Sequence, residues 1–155
     1  MRIATLNVNS LNARIERVDE WLDYASPDVL LLQETKMGQE QFPHDHYLQR
    51  GYESVHSGEG RWNGVAILSK VGMKESFIGF ADGGEEDPEA RIISSTCGGV
   101  RVSSVYVPNG REVDHDHYHY KLSWMSRLTN HLKATCEPSD PVVVGGDYNI
   151  CPDDR

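Results

Sequence analysis

The sequence predicts a layered α/β domain, and three observations carry that prediction. Short apolar runs alternate along the chain with stretches of helical period. The runs are too short to be helices on their own and are bounded by Gly, Asn, Asp, Ser or Pro, as strands are. Polar residues able to do chemistry stand at or just after the strand candidates, where the sites of layered α/β folds collect.

Residues 2–6 form the first strand candidate, followed by the polar turn Asn7-Val8-Asn9-Ser10. From Ala13, apolar Ile15, Val18, Trp21, Leu22 and Ala25 recur at the spacing of an amphipathic helix, with Asn12 as N-cap and Ser26-Pro27 as the stop. Residues 29–32 are all apolar and read as a buried strand. Residues 35–63 are rich in Gly, His and Gln and lack a period, so they predict at most a short helix near 39–42. Residues 64–68 and 73–80 read as strands. Residues 91–97 and 100–107 flank Gly98-Gly99, a two-residue hairpin signal. Apolar or aromatic residues at 118, 122, 125, 128 and 132 predict a helix over 118–134, ended by Pro138 and Pro141 before a strand at 142–144.

Composition excludes several classes of function. The 155 residues fit one domain, and 38% hydrophobic residues allow a modest core. No apolar run approaches the ~18 residues of a membrane span. Asn7 and Asn9 interrupt any signal-peptide core, so the expected compartment is the cytoplasm. The cysteines at 97, 136 and 151 are odd in number and show no C-x-x-C spacing, which argues against both a disulfide framework and a cysteine zinc site. Fifteen Lys and Arg against 24 Asp and Glu leave a net charge of −9. That balance does not suit a chain that coats nucleic acid through a broad basic surface. Exposed charges beyond about 8 Å are screened at physiological salt, so any grip on nucleic acid would be local.

Two dense tracts read as surface. Asp82, Glu85, Glu86, Asp87 and Glu89, with Gly83-Gly84 and Pro88 among them, are expected to form a solvated acidic loop. In Asp114-His115-Asp116-His117-Tyr118-His119, histidine recurs at every second position, which would converge only on a strand. The segment leads into a helix, so these are expected to be surface loop histidines.

Asn7 follows the first strand, Glu34 follows the second, Tyr106 lies in the last turn of the long strand, and Asp147 and Asn149 follow the last. Singly, each has an ordinary explanation, and Gly145-Gly146-Asp147 alone would be a turn. Together they are two carboxylates, amides and a phenol, with no Ser-His or cysteine nucleophile arrangement. Such hard donors suit Mg²⁺ or Mn²⁺ and phosphate-ester hydrolysis.

Leu6-Asn7-Val8-Asn9-Ser10-Leu11, Leu32-Gln33-Glu34-Thr35-Lys36, Asn63-Gly64-Val65-Ala66-Ile67-Leu68, Val105-Tyr106-Val107-Pro108-Asn109-Gly110 and Gly146-Asp147-Tyr148-Asn149-Ile150 occur in order along the chain. They resemble successive motifs of the exonuclease III family of abasic-site endonucleases. The wider superfamily includes deoxyribonuclease I, inositol polyphosphate phosphatases and sphingomyelinases, and the motifs resemble the DNA-repair branch more closely.

The resemblance implies a layered α/β sandwich of the deoxyribonuclease I-like type. Of its two-sheet fold, residues 1–155 would be about half, the N-terminal portion of one domain. It implies Glu34 as the main Mg²⁺ ligand, with Asn7, Asp147, Asn149 and Asn9 supporting the metal site. Asp147 would position or deprotonate water, or protonate the leaving oxygen. Tyr106 would bond the scissile phosphate and Asn149 would stabilise the transition state. Arg91, Asn109 and Arg111 match DNA-facing positions, and Lys36 lies beside the metal. Double-stranded DNA, at abasic sites and 3′ ends, is the implied partner of a monomeric full-length enzyme with no membrane role.

Ser10 stands where many members have Gly, and Asn109 where some have Gln. The larger departure is the ending at Asp153-Asp154-Arg155, before the family's closing motifs. An uncovered inner sheet face and an inactive fragment are the expectations that follow. A phosphatase acting on a small molecule or lipid headgroup and a non-catalytic half-domain are the alternative functions.

Overall fold

The computed structural model describes residues 1–151, and the terminal Asp153-Asp154-Arg155 lies outside the described residues. The elements are β1 (Ile3–Asn7), α1 (Leu11–Ala25), β2 (Val29–Gln33), a 3₁₀ turn (Gln39–Gln41), α2 (His44–Gln49), β3 (Glu53–Ser57), β4 (Val65–Ser69), β5 (Lys74–Ile78), β6 (Ile92–Cys97), β7 (Val100–Tyr106), α3 (Asp116–Thr135) and β8 (Val142–Asp147).

They build two four-stranded sheets, ordered β1-β2-β4-β3 and β5-β6-β7-β8. β2 and β4 are buried along their whole length because each is covered on both faces. With a period of two, Leu30, Leu32, Ala66 and Leu68 meet Val18 and Leu22 of α1 and Tyr47 of α2 on one face. Val29, Leu31, Val65 and Ile67 face inward against Ile93, Cys97 and Val102 of the second sheet. Ile92, Val105 and Val107 point outward to Trp124 and Leu128 of α3. The layers therefore run α, β, β, α. The inner faces of the two sheets cover each other, which corrects the expectation of a bare inner face. Both sheets are represented in this chain, and β1 and β8 are outer strands that touch each other across the sandwich.

Several boundaries shift for local reasons. α1 starts at Leu11, not after Asn12, because the amides of Ser10 and Leu11 donate to the carbonyls of Glu34 and Thr35 (2.8 and 3.0 Å), so neighbouring backbone replaces a side-chain cap. Gly98 and Gly99 take φ of +55° and +84°, as the tight β6–β7 turn requires. α3 begins at Asp116, two residues before the predicted start, with His115 as N-cap accepting from the His117 amide (3.0 Å). The histidine tract is thus a helix start, and not purely a loop. The buried face of α3 runs through Trp124, Leu128 and His131, while Leu122, expected on that face, is exposed. Gly145 and Gly146 lie inside β8 and form no turn. A Cβ on Gly146 would fall 1.9 Å from the Val105 carbonyl oxygen, so only glycine lets β8 approach β7 here. α2 and β3 fill the segment that showed no period.

The acidic loop is only partly solvated. Asp82 takes Arg127 of α3 at 2.8 and 3.2 Å, and Asp87 accepts the Trp124 indole N–H at 3.0 Å. Glu89 accepts from Arg91 at 2.7 Å and from the Tyr120 hydroxyl at 2.6 Å, leaving Glu85 and Glu86 as the exposed acids. Among the described residues no helix is long and apolar enough to cross a membrane.

Candidate active site

Parallel pairing sets Asn7 beside Gln33 at the ends of β1 and β2, and Tyr106 beside Asp147 at the ends of β7 and β8. Four strand ends thereby deliver Asn7, Glu34, Tyr106 and Asp147 to one rim. Asn7 Nδ2 donates to Glu34 Oε1 at 2.7 Å and to Asp147 Oδ2 at 2.9 Å, so a single amide bridges one carboxylate from each sheet. The Asn7 Oδ1 accepts from the Asn9 amide at 3.0 Å. Lys36 Nζ lies 2.9 Å from Glu34 Oε2 and also bonds Asn9 Oδ1. Asp147 Oδ1 accepts the Asn149 amide at 2.9 Å. Asn149 Nδ2 holds the Val107 carbonyl at 2.9 Å, and its Oδ1 lies 3.5 Å from Asn109 Nδ2.

The loops that carry these groups are unusual in backbone. Asn9, Ser10, Glu34, Lys36, Arg111 and Asn149 all have φ between +42° and +85°. Non-glycine residues adopt this left-handed region rarely, and clusters of them occur at functional sites. Ser10, at φ +85°, is the most extreme of the six. Neighbouring backbone holds the geometry: Thr35 and Lys36 amides donate to Gly64 and Asn63 carbonyls at 3.1 and 3.0 Å.

Electrostatics follow from these contacts. Burial alone would raise the Glu34 carboxyl, but hydrogen bonds from Asn7, Lys36 and Tyr106 more than offset it, leaving Glu34 below its ordinary value. The Tyr106 phenol is pushed up to about 12, first by burial and then by the Glu34 charge and hydrogen bond. It is therefore a neutral donor throughout the physiological range.

The structure brings Asn7, Glu34, Lys36, Tyr106 and Asp147 into one cluster, with Asn149 bonded to Asp147 and Asn109 reached through Asn149. Arg111 extends from this group through its amide to Asn109 Oδ1 (2.8 Å), with its guanidinium 3.3 Å from His115 Nε2. Arg91 differs from the expectation of a DNA-facing charge. Its guanidinium is buried, stacks 4.8 Å over the Tyr106 ring and donates to Glu89 at 2.7 Å and to the Tyr106 carbonyl at 3.2 Å. The apolar Tyr106 face and the Glu89 carboxylate together desolvate and neutralise it.

Sequence reasoning missed a layer beneath the rim. Buried Gln33 donates to Ser104 Oγ at 3.0 Å, and its Oε1 accepts from Thr5 at 3.2 Å, tying β1, β2 and β7 together. Buried His56, lowered to about 4 by burial and by His44, meets Thr35 Oγ1 at 2.9 Å, next to Glu34. Lys121 of α3 reaches the loops after β7 and β8. Gln33 and Thr35, inside the Glu34 motif, carried a signal of their own.

Among the described residues no three His, Cys, Asp or Glu side chains gather as a metal-holding group. The rim instead offers two carboxylates and several amides. That set fits a hard divalent cation, which is held by one or two carboxylates and otherwise by water and substrate phosphate, better than it fits zinc.

Fold and rim together define a deoxyribonuclease I-like α/β sandwich, with its polar groups gathered where the strands of both sheets end. The chain belongs to the Endonuclease/Exonuclease/phosphatase family, whose profile residues 4–155 match. Metal dependence is typical of that family. The chain is 31% identical over 159 aligned positions to exodeoxyribonuclease III of Haemophilus influenzae, covering 99% of this chain and 59% of that protein. It is similar to an AP endonuclease from Archaeoglobus fulgidus (TM-score 0.93, 37% identity, 99% of this chain and 59% of that one). It is also similar to the 3′ phosphatase NExo from Neisseria, solved bound to a product DNA hairpin (TM-score 0.91, 36% identity, 99% and 60%). The chain thus spans about three fifths of the length of these relatives.

Proposed function

We propose that residues 1–155 are the N-terminal portion of one domain of a metal-dependent DNA phosphodiester hydrolase of base-excision repair. The activity is that of an exodeoxyribonuclease III with abasic-site endonuclease action. The observation that carries this reading is the Asn7 amide joining Glu34 of one sheet to Asp147 of the other at the rim. Glu34 and Asp147 would hold Mg²⁺ or Mn²⁺, which when bound screens the phosphate charge and acts as a Lewis acid.

The chain's own residues supply the rest. Asn7 keeps the two carboxylates in register. Tyr106 presents a neutral O–H to a phosphate oxygen, with its ring held by Arg91. Asp147, oriented by the Asn7 side chain and the Asn149 amide, is the group placed to orient or deprotonate water. Asn149 stabilises charge building on the phosphate. Lys36, Asn109 and Arg111 would meet the backbone of double-stranded DNA beside the site, so a locally cationic rim works within an acidic chain. A cytoplasmic monomer fits this reading.

The test uses the natural polypeptide that carries these residues, with Mg²⁺ or EDTA, on three duplexes: one with an abasic site, one with a recessed 3′-hydroxyl end and one with a 3′-phosphate. Incision 5′ to the abasic site and 3′→5′ nucleotide removal, both lost in EDTA, are expected. Turnover of the 3′-phosphate alone would restrict the activity to 3′-end phosphatase chemistry. Hydrolysis of an inositol phosphate in place of every duplex would overturn the DNA assignment.

A further inference from the structure

Lys121 is a half-buried lysine on the sheet-facing side of α3, three and seven residues before the buried Trp124 and Leu128. Its Nζ donates to the carbonyl of Pro108 at 3.0 Å, of Tyr148 at 2.7 Å and of Asn149 at 3.1 Å. An ammonium has three N–H donors, and all three are used on backbone carbonyls. No proton is left for a phosphate, which separates Lys121 from a DNA-binding lysine.

The three carbonyls belong to two different loops. Pro108 immediately precedes Asn109 in the loop after β7, and Tyr148 and Asn149 form the loop after β8. The loops otherwise meet through the Val107 amide on the Asp147 carbonyl (2.9 Å) and through the Asn149 side chain on Val107 and Asn109. Asn149 sits at φ +48°, a conformation that costs free energy and persists only where its surroundings enforce it. Two of the three acceptors flank or belong to that strained residue.

We propose that Lys121 is a positioning residue for the phosphodiester hydrolysis proposed above: its ammonium clamps the loop of Asn109 to the loop of Asn149, fixing both side chains relative to Asp147. The inference rests on that functional reading for its kinetic consequence, but the clamp itself is a property of the free protein. Glu34 lies on the other sheet, and Asp147 is held by Asn7 and by the pairing of β8 with β7 rather than by a bond from Lys121, so the clamp acts chiefly on the placement of Asn109 and Asn149.

The test is Lys121→Met, which keeps the aliphatic stem and removes the charge and donors, beside Lys133→Met on the exposed last turn of the same helix. In the natural polypeptide, Lys121→Met is expected to lower kcat on an abasic duplex about 10- to 100-fold, the scale of a small misplacement of reacting groups. KM changes less, by no more than about threefold, because Lys36 and Arg111 still meet the DNA backbone. Amide exchange at residues 107–110 and 147–150 accelerates about tenfold or more, with α3 itself still protected. Lys121→Arg, which keeps a multi-donor cation, recovers part of kcat, and Lys133→Met matches the parent.

Unchanged kcat with both loops still protected would overturn the proposal, as would loss of protection spread evenly over α3 and the sheets. If Lys121→Met does not fold, ¹⁵N-lysine labelling of the unsubstituted protein decides. A solvent-protected ammonium signal that disappears in Lys121→Arg supports the clamp, and its absence overturns it. Failure of the parent to cut any DNA would remove the functional reading, while the exchange and ammonium measurements still judge the clamp.

Discussion

Asn7→Ala removes the one group that touches both carboxylates of the rim. Two hydrogen bonds are lost, at 2.7 Å to Glu34 and 2.9 Å to Asp147. Each has an ionised acceptor, and such bonds contribute about 1.5–3 kcal/mol. The rim is open to water, with the Glu34 side chain 18% exposed, so the lower figure applies. The pair is then worth about 3 kcal/mol, less whatever water restores. If the bonds serve chiefly to align the carboxylates, kcat/KM on an abasic duplex falls about 50- to 150-fold, at about 1.4 kcal/mol per factor of ten. The half-saturating Mg²⁺ concentration rises as well, because Glu34 and Asp147 are then no longer held at one fixed separation for a shared cation. Steady-state incision of a fluorescent abasic duplex across a Mg²⁺ titration measures both quantities. A change below about threefold in kcat/KM, with an unmoved Mg²⁺ midpoint, would refute the bridging role.

Four further outcomes are expected. Gly146→Ala places a Cβ 1.9 Å from the Val105 carbonyl oxygen, so β8 must move; it is expected to destabilise the fold by about 1–3 kcal/mol in urea denaturation and to lower activity by displacing Asp147. Tyr106→Phe keeps the ring under Arg91 and loses one donor, giving about a 100-fold fall in kcat with little change in Tm. The Tyr106 phenol, at about 12, adds no alkaline limb to the parent's rate between pH 7 and 10. Asp82 is held down to about 2 chiefly by its bond to Arg127, against an unfolded value of 3.8. Its folded-state value is the lower one, so the stability it contributes is present above about pH 4 and lost as pH falls towards 2. Arg127→Met is expected to cost about 1 kcal/mol at neutral pH, and urea midpoints should show the gap to the parent narrowing by pH 3.

The layered architecture was legible because burial on both faces leaves an unbroken apolar run, as in residues 29–32, and because Gly98-Gly99 has few other uses between two strands. α2 and β3 were not legible. α2 is six residues long and buries only Tyr47, too little to show a helical period. β3 buries His56 and Ser57, polar residues that carry no strand signal. Strand ends pointed to Asn7, Glu34, Tyr106, Asp147 and Asn149 because a rigid sheet must present something there. Lys121 was invisible for the opposite reason, since a lysine in an amphipathic helix reads as solvated until its carbonyl partners, from loops 13 and 27–28 residues away, are seen. The stacking of Arg91 on Tyr106 was not legible, because nothing in the sequence shows that the two side chains meet.

The central claim is that Glu34 and Asp147, joined by Asn7, form a metal-dependent site for cutting DNA. Its most direct test is Mg²⁺-dependent incision of an abasic duplex by the natural polypeptide, measured for the parent and for Asp147→Ala with folding checked by circular dichroism. Incision by the parent, abolished by EDTA and reduced by about 10³-fold or more in Asp147→Ala, is the result the account predicts. Incision that persists undiminished in a folded Asp147→Ala protein would contradict it.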